Sequence, residues 1–420
     1  RALASPIPSV SLIHPQGAGG GSLAGHIVAD FTDPSSGLLA MESPRTLEAL
    51  TNDLVVEIFL RIGSPADLVR ASAACVALCR LIANPSFLRR YRSVHPPLLL
   101  GLLDPYGDIE PTETPHPSAA LAGAVARAAD LRFGEYFPSS KLSGYCVSDV
   151  RDGHVLLTIT PYLEDDEDEK LVPDLAVCDP LARVCLRLPP IPDDLLASVQ
   201  VQQQDLVHYS CDTFLVPSGD EEDVTSFRVI VMMRSTQMLV AFIFSSTTGD
   251  WSAGSPFSLG SLRIPYDNIP SYAYGCFYWK VESENRLLTL NMSSMEFSVV
   301  DLPPGPDRSF VIMVEAGESR LGMFSLINHG TTLCYAIRQI GSEKSNQLEM
   351  DSVIPLPEGY IYFRIHGSYE GHILIFGYAF SEDACFALEI KTMKIERVCR
   401  KWRGFCPYFV FLPSMSQRRI

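Results

Sequence analysis

Cys75 and Cys79, one helical turn apart, and nine histidines scattered along the chain are the residues whose types could hold a metal or move a proton. Neither set has the spacing that such chemistry needs. A structural zinc site takes paired Cys or His ligands in two closely spaced groups, and no CxxC pair occurs among the eleven cysteines. Cys75 and Cys79 have no neighbouring His, so they read as core packing. His208, His329, His366 and His372 fall at the ends of strand-like segments, where a lone imidazole is a surface residue rather than a base. No G-x-S-x-G elbow, H-E-x-x-H pair or P-loop appears. The glycines at 17–25 neither follow a strand nor open a helix with dinucleotide-binding spacing. Trp251, Trp279 and Trp402 could line a ligand groove, but their positions in or beside repeated strand units read as packing. The run "YLEDDEDEK" from Tyr162 reads as a solvated loop. No catalytic residue, metal or cofactor is expected. The pattern favours a binding or scaffold role over catalysis, although distant loops can assemble a site that no local motif reveals.

The elements around these residues fall into two kinds. A chain of 420 residues exceeds one ordinary core, so at least two domains are expected. With 47% apolar and 20% charged residues the composition is globular. A net charge of −16 argues against nucleic-acid or anionic-membrane partners, which need basic surface. The charge is also uneven. Residues 41–97 hold seven Lys/Arg against five Asp/Glu, whereas residues 98–420 hold 25 against 42. A mildly basic head therefore precedes an acidic body. The cysteines lie mostly in apolar runs and read as buried free thiols, which implies a reducing, cytoplasmic or nuclear setting. No signal peptide or membrane-spanning run is evident. Residues 1–40, with "GAGGGSLAG", are expected to be a disordered tail or a gene-model artefact, and the Asn291-Met-Ser sequon is expected to be unused.

Between Met41 and Pro97 the period is helical. Thr51 or Asn52 can cap a helix whose Leu54, Val55, Ile58, Phe59 and Ile62 recur at three- and four-residue steps, and Gly63 is expected to stop it. A second helix is expected from Pro65 to about Ile82, carrying Leu68, Ala71, Ser72, Cys75 and Leu78, and a third from Phe87 to Tyr91. Beyond Leu98 the segments become branched, aromatic and bounded by turn residues, as strands are; "DDLLASVQVQ" is the best helical exception. The stretches "AVCDPLARVCLRLPPIP", "FIFSSTTGDWSAGSPF", "LTLNMSSMEFSVVDLPPGP" and "ALEIKTMKIERVC" share a strand, a polar turn and an amphipathic strand. Their turns fall near Asp179, Thr248, Ser293 and Thr392, and "AIRQIGSEKSNQLEMDSVIPLP" supplies a fifth in the longest gap. A period of about 45–50 residues suggests propeller blades, six or seven of them over residues 98–415, with 416–420 as a tail.

The head resembles an F-box. Leu50, Asp53, Leu54, Glu57, Ile58, Arg61, Asp67, Leu68, Arg70, Cys75, Leu81, Ile82, Pro85 and Phe87 match that family's pattern. Thr51, Ala74 and Leu78 stand where it usually has Pro, Val and Trp. The Trp-to-Leu change trims buried aromatic area, a loss of about 1 kcal/mol or more. Residues 98–415, through "SGYCVSDVRDGHVLL", "GCFYW", "MEFSVVDLPP" and "FLPS", are similar to the propeller region of plant, especially grass-type, F-box proteins. The resemblance implies a three-helix F-box followed by a kelch-like β-propeller, a non-catalytic substrate receptor of an SCF-type cullin-RING ubiquitin ligase. It implies a Skp-type adaptor and cullin as partners through Leu50, Leu54, Ile58, Asp67, Leu68, Cys75 and Leu78, and a protein substrate on the propeller. For any one of these side chains, a place in the head's own core is an even alternative. Two other readings remain open from the residues: a propeller enzyme or small-ligand receptor with the head as a dimerisation element, and a decayed family member that binds its adaptor weakly.

Overall fold

The computed structural model describes residues 50–410, apart from 64, 96, 129–132, 134–141, 162–171, 181–183, 200–209, 218–225, 236, 266–268, 283, 303–307, 309, 341–348 and 401–405. The expectations for residues 1–40, "YLEDDEDEK", His208, Trp402 and 416–420 lie outside them.

The first elements among the described residues are four helices, α1 (Asn52–Phe59), α2 (Pro65–Ser72), α3 (Val76–Ile82) and α4 (Pro85–Val94). The long second helix expected from the sequence is thus divided. Cys75 has an extended backbone and its Sγ accepts from the Leu78 amide at 3.5 Å, so it caps a new helix instead of sitting inside one. The first helix stops at Phe59, short of Ile62, with Arg61 N donating to Ile58 O. Val55, Phe59, Leu60, Leu68, Ile82, Phe87, Leu88 and Tyr91 are buried.

From Leu98 onward the chain builds six antiparallel sheets. The first contains β1 (Leu98–Leu103) and β2 (Ile109–Pro111) and is completed by the last strand, β24 (Cys406–Val410), in the order β2-β1-β24. A helix, α5 (Ala119–Ala128), follows β2. The second blade comprises β3 (Leu142–Arg151), β4 (His154–Pro161), β5 (Asp174–Asp179) and β6 (Val184–Arg187), and is followed by α6 (Asp193–Ser198). The third comprises β7 (Ser210–Val216), β8 (Arg228–Arg234), β9 (Met238–Ser245), β10 (Trp251–Ala253) and a short β11 (Phe257–Ser258) that also pairs with β9. The fourth is β12 (Ser271–Ala273), β13 (Cys276–Lys280), β14 (Arg286–Asn291) and β15 (Glu296–Asp301). The fifth is β16 (Phe310–Glu315), β17 (Arg320–Ile327), β18 (Thr332–Gln339) and β19 (Glu349–Ile354). The sixth is β20 (Tyr362–Tyr369), β21 (His372–Tyr378), β22 (Ala384–Glu389) and β23 (Lys394–Cys399). This is a six-bladed β-propeller, closed by pairing of the two ends of its chain.

Among the described residues six apolar clusters, one between each pair of neighbouring blades, hold the ring. Leu156 and Val177 meet Val229 and Phe242 between the second and third blades. Phe214 and Ile230 meet Phe277, Trp279 and Leu288 between the third and fourth. Leu287 meets Val311 and Met323 between the fourth and fifth, and Phe324 and Leu333 meet Phe363 and Ile375 between the fifth and sixth. The first blade contributes Leu99, Leu102 and Phe409 to the cluster with the sixth, and Leu100, Leu103 and Tyr408 to the cluster with the second. That arrangement needs a break in strand alternation. The register of β1 against β24 shifts between Leu99 and Gly101, which places Leu99 with Leu102 and Leu100 with Leu103.

Each sheet is therefore apolar on both faces, which explains central strands buried along nearly their whole length, such as "RVIVMMR" of β8. Trp279 is buried in one of these clusters, and Trp251 Nε1 donates to Pro189 O at 2.8 Å, tying the third blade to the second. One expectation is corrected. Cys178 and Cys185 are not free thiols: they stand directly opposite on β5 and β6 and are disulfide-bonded.

Candidate functional site

The helical head presents its apolar residues in two directions. On α1, Val55 and Phe59 are four residues apart and buried, whereas Leu54 and Ile58, also four apart, remain 52% and 44% exposed. All four were expected to share a face. In the structure that face is too wide for one small core, so α1 turns one stripe inward and leaves the next in solvent. Val76, at the start of α3, is 67% exposed.

The inward stripe is fixed by α4. Asn84 caps that helix, its Oδ1 accepting from the Ser86 amide at 2.9 Å, and Pro85 fits the first turn. Tyr91 then donates its hydroxyl to Ile62 O at 2.7 Å, and His95 Nε2 bonds Leu60 O at 2.7 Å. The rings of Tyr91 and His95 lie 4.2 Å apart. Burial pushes the Tyr91 phenol above its ordinary pKa. Glu57 on α1 pairs with Arg90 on α4 and, at 3.5 Å, with Arg61. These bonds satisfy carbonyls just past the end of α1 and tie that end of the helix to α4.

The seven residues singled out from the sequence separate by environment. Leu54, Ile58, Asp67 and Cys75 are exposed, and Leu50 and Leu78 are half-buried. Leu68 is fully buried and belongs to the head's own core. Thr51 occupies the N-cap of α1 through its carbonyl alone, which accepts from Val55 N at 3.1 Å, and its side chain makes no capping bond. Sequence reasoning did not identify Val76, because an unbroken second helix hid that it opens a turn of its own. Tyr91 and His95 were also unread, although Phe87, Tyr91 and His95 recur at four-residue steps.

On the propeller, the polar groups near the centre serve the ring. Asp149 on β3 is buried and accepts from the amides of Val150 and Leu215, each at 2.9 Å, and from Arg151 Nε at 3.3 Å. Arg151 also donates to Ser368 O at 3.2 Å, and its guanidinium lies 5.0 Å from the centre of the Tyr369 ring. Both described histidines of the sixth blade sit among aromatic rings: His366 beside Tyr369 and Phe376, and His372 beside Phe409. Burial lowers the pKa of His372 below its ordinary value. Among the described residues no group of three His, Cys, Asp or Glu is placed to hold a metal ion, and no helix is long and apolar enough to cross a membrane.

No family model matches the chain, and no curated protein does. Among solved structures it is similar to an oligogalacturonate lyase in complex with manganese, at 13% identity and a TM-score of 0.32, covering 59% of this chain and 74% of that one. It is similar to prolyl oligopeptidase B from Galerina marginata bound to a 25mer macrocyclization substrate, at 10% identity and a TM-score of 0.36, covering 70% of this chain and 38% of that one. The WD40 domain of SCAP from fission yeast matches at 13% identity and a TM-score of 0.31, covering 62% of this chain and 56% of that one. Similarity at these scores carries no argument about function.

Proposed function

We propose that this chain is the substrate receptor of an SCF-type ubiquitin ligase, its F-box-like head docking a Skp-type adaptor and its propeller holding a target protein. The chain itself makes and breaks no bond; it raises the concentration of a substrate beside a ubiquitin-charged enzyme held elsewhere in the assembly, in the cytoplasm or the nucleus. The observation that carries the reading is the outward pair Leu54 and Ile58. These are apolar side chains on a helix whose own core is already filled by Val55 and Phe59. Burying each side chain against a partner contributes about 1.5–3 kcal/mol less the fraction already buried. A groove that receives the exposed stripe of α1 fits helix-in-groove recognition.

Ile58→Asp is the test. The variant is expected to lose co-purification with a Skp-type adaptor while the propeller keeps its unfolding midpoint, since Ile58 lies outside the head's core. Undiminished adaptor binding by Ile58→Asp would remove α1 as the docking element. Leu78→Trp, which restores the family's usual residue at a half-buried position, is expected to strengthen the same interaction.

A further inference from the structure

On the sixth blade, one set of apolar side chains is left in water by a backbone that is firmly held. Ile361 N donates to Tyr378 O at 2.7 Å, and Tyr362 stands opposite Tyr378 across β20 and β21 with the two rings stacked 4.6 Å apart. Two residues beyond Tyr378 the chain turns, and Phe380 projects with 99% of its surface exposed. The turn is not loose: Asp383 Oδ1 accepts from Ala379 N at 3.0 Å, closing the loop that carries Phe380. Ile361 and Tyr362 are exposed as well. An ordered Phe this far from any core gains nothing for the fold, whereas an aromatic side chain on a rigid loop is the usual anchor of a protein interface.

The charge beside these rings is mostly of one sign. Glu382 and Asp383 stand two and three residues after Phe380, Glu358 precedes Ile361 by three residues, and all three are exposed. Asp383 and Arg364 both lie close enough to the Tyr378 phenol to act on it electrostatically, and Arg364 packs over the Phe310 ring on the flank. Among the described residues, three carboxylates against one flanking cation give the patch a net negative potential, in keeping with the acidic body as a whole. A rim of one sign selects partners of the other and speeds their encounter.

We propose that Phe380, Ile361 and Tyr362, with the acidic rim of Glu358, Glu382 and Asp383, form the propeller's partner-binding surface, and that the partner is a peptide segment carrying Lys or Arg next to an apolar residue. The apolar residue packs on the rings and its basic neighbour meets the carboxylates. This inference rests on the propeller being the partner-binding domain and is independent of how the head docks.

The test is selection of a random dodecapeptide phage library on the full chain, followed by calorimetric titration of the enriched peptides. Enriched peptides are expected to carry Lys or Arg within two positions of Leu, Met, Phe or Trp. Phe380→Ala is expected to weaken them about 30-fold, the effect of losing one interface anchor. Glu382→Lys is expected to weaken them several-fold and to flatten the salt dependence. Both sites are solvent-exposed, so an unchanged unfolding midpoint separates lost binding from lost fold. No enrichment, enrichment of acidic peptides, or equal affinity for Phe380→Ala would overturn the proposal. So would a concentration-dependent dimer in sedimentation that Phe380→Ala abolishes, since the patch would then belong to a second copy of the chain. Adaptor binding, measured in parallel and sensitive to Ile58→Asp, distinguishes failure here from failure of the receptor reading.

Discussion

Asp149 and Arg151 stand two residues apart on β3, and both are buried. Between them they reach the third blade through Leu215 N and the sixth through Ser368 O, so one short stretch connects three blades. Removing one member of such a pair leaves the other charge without its partner in a poorly solvated place, at a cost of about 3–5 kcal/mol. Asp149→Ala is therefore expected to lower stability by about that amount in urea denaturation. Asp149→Ala combined with Arg151→Met is expected to recover part of it, because no lone charge then remains; a double variant no more stable than the single one would refute this account. None of it was legible beforehand. "SDVRDG" reads as a strand running into a turn, and an Asp and an Arg before a turn are ordinarily solvated. At α1 the limit was different. Leu54 and Ile58 were identified, but four apolar residues on adjoining stripes do not say which stripe turns inward; that depends on helices packed from later in the chain.

Among the elements, the outermost hairpins of five of the six blades were the part that could be read. The turns near Asp179, Thr248, Ser293 and Thr392, with the fifth in the longest gap, are the connections β5–β6, β9–β10, β14–β15, β22–β23 and β18–β19. These hairpins pair a buried third strand with a half-solvated fourth, such as β15 with its mostly exposed residues, and so carry both a turn signal and an alternating pattern. The inner strands face apolar neighbours on both sides and give continuous runs without register, which is why the count of blades stayed open between six and seven. Closure was invisible for another reason: "LLLGLL" and "CPYFV" are 300 residues apart, and nothing local marks two strands as partners. Gly101 is where that closure is most constrained. A Cβ there would meet Glu110 O at 2.2 Å and Pro111 Cα at 2.9 Å, both backbone atoms that cannot swing aside. Gly101→Ala must displace β2 or undo the register shift that sends Leu99 and Leu102 one way and Leu100 and Leu103 the other. A loss of about 2–4 kcal/mol is expected, read as a lower denaturation midpoint. Gly123→Ala, at a helical site where only the Arg127 side chain lies within reach, is expected to show no such loss.

For the molecule as a whole, the question is whether head and propeller hold themselves together separately. The change in charge near residue 97 and the change in periodicity at the same place are the sequence's argument for a boundary there, whereas Thr51–Ile420 packs as one compact unit. The six inter-blade clusters contain, among the described residues, none from the head. The head's buried set in turn comes from α1 to α4 and the turns between them. Size then decides what each part can do alone. A ring of six blades buries apolar surface on both faces of every sheet, and its closure strand pairs with β1 beginning at Leu98. A cut after residue 97 leaves that pairing intact. A helical unit of about 50 residues buries a much smaller share of its surface and is marginal without a partner. A chain starting at Leu98 is therefore expected to unfold in one cooperative transition with a midpoint close to that of the propeller in the full protein. Residues 41–97 alone are expected to show little helical signal until an adaptor is added, and then to gain it in proportion to binding. Circular dichroism on the two fragments, with and without a Skp-type adaptor, measures both. A stable isolated head would mean that the exposed stripe of Leu54 and Ile58 is not needed to complete its fold, and a propeller that fails to fold without the head would mean that the boundary at residue 97 is misplaced.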